Sequence, residues 1–223
     1  MGATDISSAS DGRPDRRTRR RQETLEEILD ISVELMTEHG VNGLSLSEVA
    51  RRLGVRQPSI YRYFPSISSV YDALFQRAAS ANLVVLRDAM ASRKPGLDAL
   101  TAGLEASGRW VLAHQALAQL LFWRPVPNFE PSAEAFAPSE EIAKLQFQAI
   151  ANAVADGELG AEALKDAGTM VSILIKGVLT QAMANEPHLE WDEGRFTPMF
   201  PKLMELLPLA YPPSKKAGGK MSG

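Results

Sequence analysis

Cysteine is absent from the 223 residues of this chain, and histidine occurs only three times. Without cysteine there can be no disulfide, no thiolate metal site and no cysteine nucleophile. His39, His114 and His188 do not have metal-ligand spacing, and no Gly-x-Ser-x-Gly motif or phosphate-binding glycine loop is present. We therefore expect no catalytic residue, no metal site and no cofactor, and we keep an enzyme built on a helical bundle only as an alternative.

Long apolar runs are also scarce. The N-terminus, MGATDISSAS, is polar and lacks the apolar core of a signal peptide. The longest uncharged run extends from Trp110 to Trp123 and includes a histidine and two glutamines. This run is shorter than the roughly 18 residues that span a bilayer. The sequence therefore predicts a soluble, cytoplasmic protein that does not enter a membrane.

Helical periodicity and helix-breaking residues alternate along the chain. Apolar residues recur every three or four positions, and no segment of any length has strand periodicity. Helices are predicted at 22–39, 46–53, 57–64, 67–90, 97–106, 109–123, 138–156, 160–185 and 198–210. The fold class is therefore all-α, with three helices at 22–66, a larger helical bundle at 67–211 and a disordered tail at 212–223.

The second and third predicted helices have the pattern of a helix-turn-helix. Ser45 and Glu48 are spaced as a capping box, and Gly54 provides the turn. Ile60 and Phe64, four residues apart, can face the core and leave the polar positions of the third helix outside. Glutamine can pair with adenine and arginine with guanine, while serine and tyrosine hydroxyls suit phosphate oxygens. The candidate DNA contacts in this motif are Ser45, Ser47, Arg56, Gln57, Pro58, Ser59, Tyr61, Arg62 and Tyr63.

A cluster of arginines precedes this motif, although the net charge of the chain is −3. Residues 13–64 carry ten arginines, and six of them lie in the segment 13–21. We expect residues 1–21 to form a disordered arm, and we predict that Arg19, Arg20 and Arg21 contact DNA in the minor groove or on phosphates. A solvated tail without a ligand is the alternative interpretation.

The segment LSEVARRLGVRQPSIYRYFPSISSVYDALF resembles the DNA-binding domain of the tetracycline-repressor (TetR) family, and the resemblance covers roughly residues 22–75. It implies that Gln57, Pro58, Ser59 and Arg62 face bases, while Tyr61, Tyr63 and the start of the second helix touch phosphates. One position departs from the family pattern, because Ile67 stands where a lysine usually grips the DNA backbone. The arginine-rich arm is expected to compensate for that missing cation.

The resemblance also implies a function for the larger bundle, namely ligand binding and dimerisation. A homodimer would form through helices 160–185 and 198–210, bind a palindromic double-stranded operator and be released by a small-molecule effector that is apolar or aromatic. The predicted pocket residues are Trp110, His114, Phe122, Phe147, Met170 and Ile173. The aromatic residues among them could instead be ordinary core, and the proline-rich loop 124–138 could be a pocket lid or a connector. A ligand-independent or architectural DNA-binding factor is the alternative function.

Overall fold

The computed structural model describes residues 16–213, which form α-helices and two short 3₁₀ turns and contain no strand within that range. The α-helices are α1 (Arg16–His39), α2 (Leu46–Arg52), α3 (Gln57–Ile60), α4 (Ile67–Ala91), α5 (Leu97–Ala113), α6 (Gln115–Trp123), α7 (Ala133–Ala155), α8 (Ala163–Asn185), α9 (Phe200–Met204) and α10 (Leu206–Ala210). The 3₁₀ turns are Val41–Gly43 and Thr197–Met199. The prediction of an all-α fold is confirmed.

Helix α1 begins six residues earlier than the sequence indicated. Residues 16–21, predicted as part of a disordered arm, are helical. Arginine is a good helix former, and side-chain pairs four residues apart extend the first turns. Arg19 Nε lies 3.1 Å from Glu23 Oε1, and Gln22 donates to Glu26 at 2.8 Å. The predictions of disorder for residues 1–15 and 214–223 lie outside the described residues.

The first three helices enclose a small core that is shared with the start of α4. Ile28, Val49, Ile60 and Leu74 are fully buried there. The Tyr71 hydroxyl of α4 is also buried and donates to the carbonyl oxygen of Val41 at 2.7 Å. Helix α4 packs in this core and then continues into the larger bundle, and it therefore connects the bundle mechanically to the helix-turn-helix.

The loop between α6 and α7 is attached to the N-terminal helices at both ends. The Asn42 amide donates to the carbonyl oxygen of Pro125 at 3.2 Å. The carboxylate of Asp72 accepts from the amide and the hydroxyl of Ser132, at 2.7 and 2.8 Å. Ser132 also caps α7, which is why that helix begins at Ala133 and not at 138 as predicted. The loop therefore connects the bundle to the N-terminal domain.

The segment 198–210 is not the single helix that the sequence predicted. It forms a 3₁₀ turn followed by the short helices α9 and α10. Pro198, Pro201 and Pro208 divide the segment, because proline lacks the amide hydrogen and clashes with the preceding turn. Phe200 and Leu207 are nevertheless fully buried, so the segment stays packed against the bundle.

Helix α8 is long and apolar enough to cross a membrane by length and composition, with a mean hydropathy of 1.3 over 18 residues. The sequence had suggested no such segment. One helix of this kind is weak evidence for a membrane span, since core helices of soluble proteins pass the same test. Ala167, Val171 and Val178 of α8 are buried in the bundle, and 33% of the 18-residue window is buried in all.

Helix α5 continues through Gly108, where the sequence had predicted a break between 106 and 109. The ring of Trp191 packs directly on this glycine, so that a Cβ atom at position 108 would lie 2.0 Å from a ring carbon. The break comes instead at His114, whose backbone leaves the helical region at φ −129° and ψ 49°. The partner of Gly108 is 83 residues away in the chain, so local periodicity does not reveal this contact.

Replacing Gly108 by alanine is therefore expected to lower the free energy of unfolding by about 1–3 kcal/mol, as overpacking of a filled site does. Urea denaturation would measure the loss. In a Trp191→Leu background the same substitution should cost less than half as much, because the ring that it strikes is gone. An equal cost in both backgrounds would show that contact with Trp191 is not the cause.

Candidate nucleic-acid interface

The turn between α2 and α3 has the geometry that a helix-turn-helix needs. Gly54 adopts a left-handed conformation with φ 71°, which glycine adopts at little cost. The amide of Val55 then donates to the carbonyl oxygen of Ala50 at 3.0 Å and closes the turn. Pro58 lies in the first turn of α3, as the sequence predicted. The second helix of the motif is thus held at a fixed angle to the first.

Helix α3 is short but is anchored at both ends. The α-helix ends at Ile60, and hydrogen-bonded turns continue it to Phe64, whose amide donates to the carbonyl oxygen of Ile60 at 3.0 Å. Both side chains are buried, as their spacing had indicated. The polar set consequently points outward: Arg56, Gln57, Pro58, Tyr61 and Arg62 are exposed, and Ser59 and Tyr63 are half-buried.

The predicted capping box at the start of α2 does not form. Ser45 is the N-cap residue but its side chain makes no capping hydrogen bond, and its hydroxyl oxygen lies 2.7 Å from that of Ser47. Glu48 turns instead toward Arg51, which donates to its carboxylate at 2.7 and 2.8 Å. A bidentate arginine–carboxylate pair competes successfully with a single bond to a backbone amide. Ser47 is exposed, as a phosphate contact requires.

Arg52 joins α2 to α1 through two carboxylates of α1 and also contacts a carboxylate of its own helix. Its guanidinium donates to both carboxylate oxygens of Glu38, at 2.9 and 2.5 Å, and lies 3.6 Å from Glu34 and 3.3 Å from Glu48. The hydrogen bonds from Arg51 and then Arg52 lower the pKa of Glu48 to about 2, and the bond from Arg52 lowers the pKa of Glu38. Arg52 thus fixes the orientation of the motif on the first helix.

The Arg52 contacts predict a pH-dependent contribution to stability. Because the carboxyl groups have pKa values below their usual 4.5 in the folded protein, the stabilisation is complete above about pH 4.5 and is lost as the pH falls toward about 2. The wild type should melt at a higher temperature than Arg52→Met at pH 6, and this difference should shrink through that acid range. Arg87→Met, which removes an ion pair at 4.0 Å, should have the melting temperature of the wild type at every pH. If the melting temperatures of the wild type and Arg52→Met differ by the same amount at every pH, the pH dependence does not come from the carboxylates that contact Arg52.

A basic cleft lies between the start of α1 and the recognition helix α3. Its volume is about 670 Å³, and four arginines line it: Arg17, Arg20, Arg21 and Arg62. The Arg21 guanidinium lies over the Tyr63 ring, 5.3 Å from the centroid. Ser59 lines the same cleft, which therefore joins the arginine cluster to the predicted base-contacting residues.

The structure separates the three arginines that the sequence grouped. Arg20 and Arg21 line the basic cleft, whereas Arg19 is paired with Glu23 outside it. Arg17 belongs to the cleft but was not among the predicted contacts. Its spacing of three and four residues to Arg20 and Arg21, and of seven to Thr24, would have identified it had the segment been treated as helical.

Ile67, the departure from the family pattern, lies at the start of α4 and is partly exposed. Ser66 and Ser69 form a capping box around it, in which each side chain accepts the other's backbone amide at 3.2 Å. No ammonium group is present at this position, and Ile67 does not line the basic cleft. Compensation of the missing lysine by the arginines that precede the motif stays a prediction.

The predicted pocket residues do not share one site. Trp110 is buried and stacks on His114 with ring centroids 4.9 Å apart. Phe122 packs edge-on against its neighbour Trp123. Phe147 and Ile173 lie on the outer face of α7 and α8 with 55% and 66% of their surfaces exposed. Phe147 and Ile173 line one open cleft of about 520 Å³ on α7 and α8, whereas His114 lines a different cleft of about 450 Å³, so these predicted residues are not brought together in one cavity.

Metal binding finds no support in the structure from 16 to 213, since no three histidine or carboxylate side chains there are close enough to share an ion.

Comparison with known proteins places this geometry in a family. The family model of bacterial regulatory proteins of the tetR family matches residues 28–74. An HTH-type transcriptional regulator of Mycobacterium tuberculosis is 27% identical over 143 residues, which cover 62% of this chain and 61% of that protein. The match thus spans less than two thirds of the relative's length.

Two solved structures have the same fold. A TetR family transcriptional regulator, PfmR, from Thermus thermophilus superposes with a TM-score of 0.64 at 17% identity, covering 81% of this chain and 96% of that one. The transcriptional regulator FadR from Bacillus subtilis, in complex with stearoyl-CoA, superposes with a TM-score of 0.67 at 17% identity, covering 82% and 96%. The match to the family model falls on the helix-turn-helix itself, and residues 28–74 therefore belong to the tetR family of bacterial regulatory proteins, with this motif as the DNA-binding domain of the chain.

Proposed function

We propose that the chain is a repressor of the cytoplasm that binds a palindromic operator as a homodimer and is released by a small molecule. The observation that carries the DNA-binding part is the continuity of the basic cleft with α3. Cations at Arg20, Arg21 and Arg62 can neutralise phosphates beside the groove into which Gln57 and Ser59 project. Neither an acidic surface nor a buried recognition helix would permit this docking.

Dimerisation is supported by the outer face of α7 and α8. Phe147, Leu164 and Ile173 are exposed on it and line one open cleft together with Gly168, where the side chain is minimal. Exposed apolar side chains with a polar surround suit the self-complementary contact of a two-fold dimer. The predicted partner segment 198–210 adds the exposed side chains of Leu206 and Leu209. Two recognition helices about 34–36 Å apart would then meet successive major grooves.

A response to a small molecule is supported by the fold similarity to FadR, whose structure was solved with stearoyl-CoA. The effector of this chain is proposed to be apolar or aromatic. A ligand-independent regulator is the second candidate, because Phe147 and Ile173, which were predicted to line the pocket, lie on the surface.

Selection of bound sequences from random duplex DNA, followed by affinity measurements at several salt concentrations, tests the proposal. We expect a palindrome and a linear fall of the logarithm of affinity with that of salt, with a slope of about −0.9 per phosphate contact. No enrichment of any sequence would overturn operator binding. Enrichment of a single, non-repeated half-site would overturn the dimer.

A further inference from the structure

A cleft of about 450 Å³ lies between the second half of α1 and the junction of α5 and α6. One wall is the DNA-binding domain, with Val33, Met36 and Thr37 of α1. The opposite wall is the bundle, with Leu112 and Leu117. A molecule in this cleft would touch both domains at once.

His114 occupies the point where α5 ends and α6 begins. Its Nδ1 lies 2.9 Å from the carbonyl oxygen of Trp110, and since that oxygen can only accept, Nδ1 carries the proton. In the neutral imidazole Nε2 is then a hydrogen-bond acceptor. The ring is stacked on the buried indole of Trp110, which fixes its orientation. The structure thus presents one oriented acceptor at the mouth of an apolar cleft.

The third wall of the cleft is the segment that follows α8. The Gln115 amide donates to the carbonyl oxygen of Pro187 at 2.7 Å and holds that segment against α6. His188 lines the cleft beside it. A second cleft of about 340 Å³ shares Pro187 and His188 and leads toward Arg109 and Trp191. The larger cleft alone can accept a small organic molecule, for which pockets of about 300–1,000 Å³ are usual.

The lining of the larger cleft defines the chemistry of its occupant. No aspartate, glutamate, lysine or arginine belongs to it, and its polar groups are two imidazoles, Thr37, Gln115 and Gln119. A cationic ligand would find no carboxylate in this lining, and an anion would lose hydration there without an arginine or lysine to replace it. A flat, uncharged molecule can extend the stacked rings, and a hydroxyl on it can donate to Nε2 of His114.

We propose that this cleft binds a small uncharged aromatic compound with a hydroxyl group, and that α1 couples its occupancy to DNA binding. Only the coupling to DNA binding rests on the proposed function; the binding of the compound does not. Helix α1 has 24 residues, a length of about 36 Å. Its first turns line the basic cleft and its second half lines the ligand cleft. One rigid helix therefore connects the two, and a ligand that displaces α1 displaces the arginines.

Titration of the full-length wild type with 2-naphthol, followed by NMR of the imidazole protons, tests the site directly. The chain has three histidines, so each resonance can be assigned by substitution. We expect saturation at one molecule per chain, with shifts of His114 and His188. His39 lies beside Glu38 and does not line the cleft, so its resonances should not shift. Binding of 2-naphthylmethylammonium, the same ring system with a cation, should be weaker by about tenfold or more.

A matched pair of filling variants locates the binding site. Ala113→Trp closes the cleft at the last residue of α5, whereas Ala91→Trp, at the last residue of α4, fills a different surface pocket. Affinity for 2-naphthol should fall about tenfold or more in the first variant and be unchanged in the second. Absence of saturable binding to the wild type, shifts of all three histidines alike, or equal affinity in both variants would overturn the site. The wild-type titration decides the matter even if Ala113→Trp fails to fold.

The coupling has its own readout. Saturating 2-naphthol should lower the affinity of the wild type for the selected DNA sequence and leave the DNA affinity of Ala113→Trp unchanged. Binding of 2-naphthol without an effect on DNA affinity would retain the site and reject the coupling. Failure of the selection to yield any DNA sequence would reject the proposed function and leave the histidine titration standing.

Discussion

Replacement of Arg20, Arg21 and Arg62 together by alanine is expected to reduce operator affinity about 10,000-fold or more at physiological salt. The three guanidinium groups line one cleft beside the recognition helix, and the proposed homodimer has two such clefts. Each hydrogen-bonded contact between a cation and a phosphate contributes about 1–1.5 kcal/mol to the affinity, and the loss of six contacts sums to about 6–9 kcal/mol. The loss should be similar for all sequences, because phosphates carry no sequence information.

The salt dependence identifies the cause of that loss. If each arginine neutralises one phosphate, the slope of log affinity against log salt becomes shallower by about 0.9 for each arginine removed. The matched control is Arg87→Ala, Arg93→Ala and Lys144→Ala, which removes the same charge from exposed positions outside the cleft. An equal loss in the control would attribute the effect to net charge. An unchanged slope in the cleft variant would remove these arginines from the interface.

The helix-turn-helix could be predicted from sequence because its determinants are local. The left-handed turn at Gly54, the proline in the first turn of α3 and the burial of Ile60 and Phe64 all depend on residues within about one turn of each other. Local reasoning failed where two local interactions compete. At Ser45 the capping box and the Glu48–Arg51 pair are both compatible with the sequence, and the bidentate ion pair forms.

Periodicity alone also misplaced the beginning of α1. Charged residues in 16–21 suggested a disordered arm, although the same residues are strong helix formers with carboxylate and amide partners four positions on. Recognising the helix matters for function. Only in a helix do Arg17, Arg20 and Arg21 face the same side and form the basic cleft with Arg62.

The larger bundle was less predictable because its contacts connect residues far apart in the chain. Trp191 packs on Gly108, and Asp72 holds Ser132 at the start of α7. Sequence periodicity identifies an apolar residue but not the helix that it faces. Phe147 and Ile173 were therefore assigned to an internal pocket, although they lie on the outer face of α7 and α8.

The second large effect is expected from a substitution on this outer face of α7 and α8. Replacing Ile173 by glutamate is expected to convert the homodimer to a monomer of 24.3 kDa and to lower operator affinity by about 100- to 10,000-fold. In a two-fold contact each substitution appears twice, so two carboxylates would lose hydration against an apolar surface and repel each other. Each monomer could then bind one half-site only, and the gain from simultaneous binding of both half-sites would disappear.

Sedimentation equilibrium measures the assembly, and thermal unfolding shows whether the variant is folded. Since 66% of the Ile173 surface is exposed in the single chain, glutamate there should leave the fold intact. Val84→Glu is the matched control, because Val84 is an exposed β-branched residue on α4, outside this face. It should remain dimeric and bind the operator as the wild type does. A dimeric Ile173→Glu with wild-type affinity would place the dimer contact elsewhere on the chain. A monomeric Val84→Glu would place it on α4, and the apolar face of α7 and α8 would then need another partner.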